Sequence, residues 1–195
     1  MSRTGLLLIN LGTPDSPTTE AVRKYLAEFL MDPYVIDIPA PLRWLLVHGA
    51  ILRTRPADSA ALYRKIWTDR GSPLLFHLED LVARVRSELG PDWAVEGGMR
   101  YQKPSLKDAF LKLRDQGVDR VVAFPLYPQY SLAATASSER ETRRWANAVL
   151  PGKRLDFVAP FYGAPAFLEA FAAVARRGLE GFAHDHVLFS FHGLP

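Results

Sequence analysis

The run Gly5–Leu11 (GLLLINL) limits the architecture more than any other stretch. It is too short for a helix and too apolar for a surface strand, so it reads as a strand buried on both faces, as in a parallel sheet. Similar runs return at Trp93–Met99, Arg120–Phe124 (RVVAF), Leu155–Ala159 and Val187–Phe191 (VLFSF). Helical patterns separate them. Thr18 or Thr19 caps a helix whose Val22, Tyr25, Leu26, Phe29 and Leu30 repeat at helical spacing. Ser72-Pro73 opens a helix to Leu89, Ser105 caps one to Gln116 closed by Gly117, and others cover Thr135–Leu150 and Ala164–Gly181. This repeated β-then-α order predicts an α/β chain: a doubly wound parallel four-stranded sheet flanked by helices, with right-handed crossovers and the start of a second similar domain. The first domain is expected over 1–152, and 153–195 is expected to hold a linker helix and the first strand of the second.

The stretch after the first helix is less regular. Asp32-Pro33 stops that helix, and Val35-Ile36-Asp37-Ile38 is expected to be extended. Leu42–Leu52 (LRWLLVHGAIL) is apolar nearly all round, as in a helix packed on several sides or one whose exposed face meets a hydrophobic ligand or a membrane surface. A separate helix is expected over Ala57–Trp67. Gly97-Gly98, inside the second strand, implies close backbone approach or a bulge.

Composition narrows the function classes. A hydrophobic share of 48% with 23% charged residues belongs to a globular protein. The net charge of +3 forms no basic tract, so no nucleic-acid partner is expected. Without cysteine there is no disulfide, thiolate zinc site or cysteine-ligated iron–sulfur cluster. The start, Met1 to Thr4, runs directly into the first strand and no apolar run reaches the length of a membrane span, so a cytoplasmic protein is expected.

The carboxyl ends of a parallel sheet share one rim, where open α/β sheets keep their chemistry. Asn10-Leu11-Gly12, Arg100-Tyr101, Tyr127 to Ser131, Phe161-Tyr162 and His192 are thereby directed to one cleft or two adjoining ones. Rich in aromatic rings and poor in carboxylates, that rim suits a large flat apolar ligand bearing acidic groups. His192 is the candidate reactive group, since a neutral imidazole binds a metal or accepts a proton near pH 7; the competing reading is a packing role at a strand end. Gly12-Thr13-Pro14 has neither G-x-x-x-x-G-K-S/T nor G-x-G-x-x-G, and its proline lacks a donor, so it reads as a tight loop lining the cleft. No G-x-S-x-G or H-E-x-x-H occurs. His184 and His186, flanking Asp185, belong to the opposite rim and read as solvated; His48 and His77 lie in helices without an evident partner.

A sharper signal comes from motifs in order: LINLGTP (Leu8 to Pro14), KYLAEFLMDPYVID (Lys24 to Asp37), GSPL (Gly71 to Leu74), MRYQKPS (Met99 to Ser105), FPLYPQYS (Phe124 to Ser131) and SFHGLP (Ser190 to Pro195). In order and approximate spacing the chain resembles the ferrochelatases over essentially its whole length, and the last two motifs together are highly selective for that family. The resemblance implies a bacterial enzyme of haem biosynthesis, a lyase that inserts Fe(2+) into protoporphyrin IX to form protohaem. It implies two doubly wound, chelatase-like domains of Rossmann or flavodoxin-like kind, with the porphyrin in the cleft between them. Positions matching the family's motifs give His192 as catalytic residue and iron ligand or proton acceptor. They give Leu11, Arg55, Tyr63, Ser72, Arg100, Tyr101 and Tyr127 as residues approaching the macrocycle, with Arg53 as an alternative to Arg55.

The resemblance implies no resident cofactor, iron being a substrate. Some relatives hold an iron–sulfur cluster through cysteines, one just after P-Q-Y-S; Leu132 stands there in this chain, and no cluster is expected. Family members continue well beyond the histidine motif, so the chain is expected to be truncated and, alone, not to turn over. The expected partners are protoporphyrin IX and Fe(2+), with peripheral membrane contact through Leu42–Leu52, and a monomer is expected. Competing readings are a coproporphyrin or cobalt chelatase, a non-catalytic porphyrin-binding fragment, and a flavodoxin-like nucleotide-binding domain, which the missing phosphate loop disfavours.

Overall fold

In the computed structural model, which describes residues 3–190, strands β1 (Thr4–Gly12), β2 (Trp93–Tyr101), β3 (Arg120–Pro125) and β4 (Arg154–Phe157) form one sheet. All pairings are parallel and the order is β2-β1-β3-β4. The apolar first run therefore occupies an inner position. Its side chains alternate between two cores, as the two-residue period of a strand requires. Leu7 and Ile9 pack with Phe110 and Leu113 of α5 (Leu106–Asp115) and Ala146 of α6 (Ser137–Val149). Leu6 and Leu8 pack with Leu78 and Val82 of α4 (Pro73–Leu89).

A third cluster lies beyond the carboxyl end of the sheet. Val22, Tyr25, Leu26 and Leu30 of α1 (Thr19–Leu30) meet Val47, Leu52, Ala60 and Tyr101 there. The caps are those the sequence suggests. Thr18 Oγ1 accepts from the Ala21 N–H at 3.3 Å, and Ser105 forms a reciprocal capping box with Asp108.

Three local expectations are corrected. Residues 35–38 form turns rather than an extended segment, because the Asp32 carboxylate accepts the Tyr34 N–H at 2.9 Å and the Asp32 carbonyl accepts from Val35 and Ile36. The expected break before residue 57 is also absent. Helix α2 (Ala40–Trp44) continues through a π-helical turn, Leu45–Ile51, into α3 (Leu52–Ile66), with Pro56 inside α3. Proline cannot donate to the carbonyl four residues back. That carbonyl, Leu52 O, instead accepts from the Arg23 guanidinium. Lastly, the strand expected over 187–191 is irregular and exposed as far as it is described, with Leu188 92% exposed. A strand needs a neighbour, and no described strand pairs with this one.

Two boundaries shift slightly. Ser131 caps a π-helical turn, Leu132–Ala136, ahead of α6, and the fourth strand is shorter than expected. Because β4 pairs with β3, the first sheet takes in residues beyond position 152. Helix α7 (Pro165–Leu179) follows with no buried residue. No described helix is long and apolar enough to cross a membrane.

Candidate functional site

The exits of β1 and β2 are pressed together. Gly12 pairs with Tyr101 and has φ 130°; a Cβ there would stand 2.3 Å from the Tyr101 carbonyl oxygen, so only glycine fits. The next residue, Thr13, is buried and its hydroxyl lies 2.8 Å from that of Ser72, the residue before α4. Ser72 is thus tied to the loop leaving β1. Just before the turn, Leu11 packs into the third cluster with Tyr25, Tyr63 and Tyr101. Tyr25 meets Tyr63 edge-on at 6.4 Å and Phe29 meets Tyr101 edge-on at 5.2 Å. Burial holds the phenols of Tyr25, Tyr63 and Tyr101 above their ordinary range, so this wall is neutral.

Beside the rings lies a buried ionic group. The Asp32 side chain is 0% exposed and accepts from Ser137 Oγ at 2.5 Å, from the Tyr101 hydroxyl at 3.0 Å and from the Arg100 guanidinium. Arg100 Nε also donates to Ser137 Oγ at 2.7 Å, and its guanidinium lies 4.4 Å from the Tyr101 ring centre. Arg140, in the first turn of α6, stands 3.5 Å from the other Asp32 oxygen. Burial alone would raise the Asp32 pKa. The Ser137 hydroxyl, the Tyr34 N–H, the Arg100 charge and the Tyr101 hydroxyl outweigh it, and the carboxyl is held below its usual range. One carboxylate thereby joins the end of α1, the end of β2 and the start of α6.

Tyr127 lies at the start of α6, its hydroxyl 3.1 Å from Ser138 Oγ. Burial pushes its phenol up to about 12, against the Ser138 hydrogen bond and the Arg100 charge. The structure therefore gathers Leu11, Tyr63, Arg100, Tyr101 and Tyr127 around one rim, with Ser72 anchored to its first loop. Arg55 and Arg53 are exposed on α3, and His192 lies outside the described residues. A hollow of about 420 Å³ opens beside Thr13, Pro14, Lys103 and Pro104, and a smaller one of about 190 Å³ reaches Arg100 past Gln102 and Trp145.

Asp32, Ser137, Ser138 and Arg140 were not among the residues the sequence nominates, and Thr13 entered only as part of the loop lining the cleft. Asp32 reads there as a helix stop, and its partner Ser137 stands 105 positions away. Among the described residues no three His, Asp or Glu side chains form a metal-binding group. Asp32 is ionised but its oxygens are taken by donors, so it is poorly placed to accept a proton. What this rim offers is the half-buried Leu11 and Tyr63, backed by the buried Tyr25 and Tyr101, next to a cationic centre, an arrangement whose chemistry suits a flat apolar ligand with acidic substituents.

Comparison with known proteins identifies the family to which this fold belongs. A family model described as ferrochelatase matches residues 3–195. The chain is 45% identical over 194 residues to a ferrochelatase of Coxiella burnetii (strain RSA 493), covering 100% of this chain and 54% of that protein. It is 46% identical over 198 residues to a ferrochelatase of Pseudomonas aeruginosa (strain PAO1), covering 100% and 56% respectively. A Chromobacterium violaceum ferrochelatase is 42% identical over 198 residues, at 99% and 54% coverage. The chain spans about half the length of the curated relatives it matches.

Proposed function

This chain belongs to the ferrochelatase family, and from that premise we propose that it supplies the porphyrin-facing wall of an enzyme that inserts Fe(2+) into protoporphyrin IX to form protohaem. The observation that carries the proposal is the meeting, at one rim of a parallel sheet, of Leu11, Tyr63 and Tyr101 with the Arg100–Asp32–Arg140 group. Two guanidinium groups around one carboxylate leave a net positive charge beside an apolar wall, which complements a macrocycle edged with carboxylates. Ser72, Tyr127 and Arg55 are further porphyrin contacts in this reading.

Insertion exchanges two pyrrole protons for a divalent cation. In a planar porphyrin the nitrogen lone pairs lie in the ring plane, away from an incoming metal. A stiff wall that bends the ring turns them outward, and binding of the remaining macrocycle offsets the strain. The interlocked Tyr25, Tyr63, Phe29 and Tyr101 rings support such stiffness. His192 accepts the released protons or ligates the entering iron. Iron is substrate here, and the chain has no cysteine with which to hold a cluster. Exposed Leu42, Trp44, Leu45 and Leu46 support peripheral membrane contact of the Leu42–Leu52 segment, and the same reading takes the protein as monomeric and cytoplasmic. From α7 onward the chain leads into a second unit.

The test is anaerobic iron insertion followed by loss of protoporphyrin fluorescence. In a protein of the full family length, His192→Ala is expected to abolish insertion while porphyrin still binds, and near-normal turnover in that variant would refute the role given to His192. A second reading, porphyrin binding without turnover, is favoured by a span of 54% of a relative's length; it predicts that the 195-residue chain quenches with porphyrin but forms no haem.

A further inference from the structure

Arg100 is the nominated arginine that stands at this rim, Arg55 lying exposed on α3, yet the Arg100 side chain is only 9% exposed. Its Nε donates to Ser137 and its Nη2 to Asp32, so these donors are spent inside the protein. Arg140 is arranged the other way round. Its side chain is 46% exposed, while Asp32 Oδ1 at 3.5 Å and the Tyr34 ring, 4.8 Å from the guanidinium carbon, hold it from behind. The neighbouring carboxylates of α6 are engaged elsewhere, Glu139 with Arg143 and Glu141 with Arg144. Arg140 therefore shares its one ion-paired carboxylate, among those described, with a second arginine. An arginine supported on one side, incompletely neutralised and open on the other, is organised in advance for a planar anion.

We infer that Arg140 is the solvent-facing cation of this rim and binds a carboxylate substituent of the tetrapyrrole, with Arg100 and Asp32 as the buried support that positions it. The inference rests on the porphyrin reading above and adds to it a residue that no family motif points to. An accessible guanidinium gives selectivity for the ionised acid over a neutral ester of the same ring, because ring stacking is common to both.

The experiment titrates the full chain, wild type, Arg140→Gln and Arg140→Lys, with protoporphyrin IX and with its dimethyl ester, following tryptophan quenching at fixed ionic strength. Arg140→Gln is expected to weaken the free acid roughly tenfold and leave the ester unchanged, and Arg140→Lys to recover most of the loss. Wild-type affinity of Arg140→Gln for the free acid would overturn the inference. So would an equal loss for acid and ester, since a structural role does not distinguish them. A wild-type chain that binds neither ring would overturn the porphyrin reading and the inference with it, a result separate from the other two.

Discussion

Replacing Asp32 with asparagine keeps the side chain's shape and removes the charge that Arg100 and Arg140 share. Breaking a buried ion pair while leaving its partner in place is costly, so Asp32→Asn is expected to lower stability by about 3 kcal/mol in urea unfolding. The pH dependence identifies the cause. The folded-state pKa of Asp32 is depressed, so its contribution is complete above the unfolded carboxyl value of about 3.9 and is lost as pH falls through the lower folded value. Asp32→Asn is therefore expected to flatten the acid limb of the stability curve, and an unchanged limb would contradict the charge account. At this scale the sequence was only partly legible. Arg100, Tyr101 and Tyr127 stand in recognisable motifs; Asp32 also stands in one but reads there as a helix stop, and Ser137 looks like an ordinary first-turn serine. Their significance comes from a contact across 105 positions, which no local pattern encodes.

At the scale of elements, Gly97 and Gly98 let helices approach β2 from opposite faces without a bulge, in register with Leu8 and Ile9. A Cβ on Gly97 would stand 2.9 Å from Val82 Cγ2 of α4, and one on Gly98 would stand 2.9 Å from Leu106 Cδ2 of α5. Gly98→Val is accordingly expected to cost about 1–3 kcal/mol through overpacking, measured by chemical denaturation. Gly178→Ala in α7, where nothing lies within 4 Å, is the control and is expected not to destabilise. The elements themselves were largely legible, because buried parallel strands and amphipathic helices carry different periods. The π-helical turn Leu45–Ile51 was not, since nothing in an apolar run distinguishes it from an α-helix. Nor was the continuity across Pro56, which depends on Arg23 reaching Leu52 O from another helix.

For the whole molecule, the proposed function is directional: it requires the carboxyl end of the parallel sheet to be the ligand-binding end. The two ends are chemically distinct. Leu11, Tyr101 and the Asp32 group lie at one, and Thr4, Trp93, Arg120 and Arg154 begin the strands at the other. Exposed apolar groups elsewhere, such as Leu168, Phe171 and Val174 on α7, offer a competing place for a greasy ring to settle. Backbone amide shifts recorded while protoporphyrin IX is titrated into the isotopically labelled chain separate these possibilities most directly. The account predicts perturbations concentrated at Leu11–Thr13, Tyr101–Gln102 and Tyr127–Ser131, and saturation at a common concentration. Shifts confined to the amino ends of the strands or to α7, with the carboxyl rim unmoved, would contradict it.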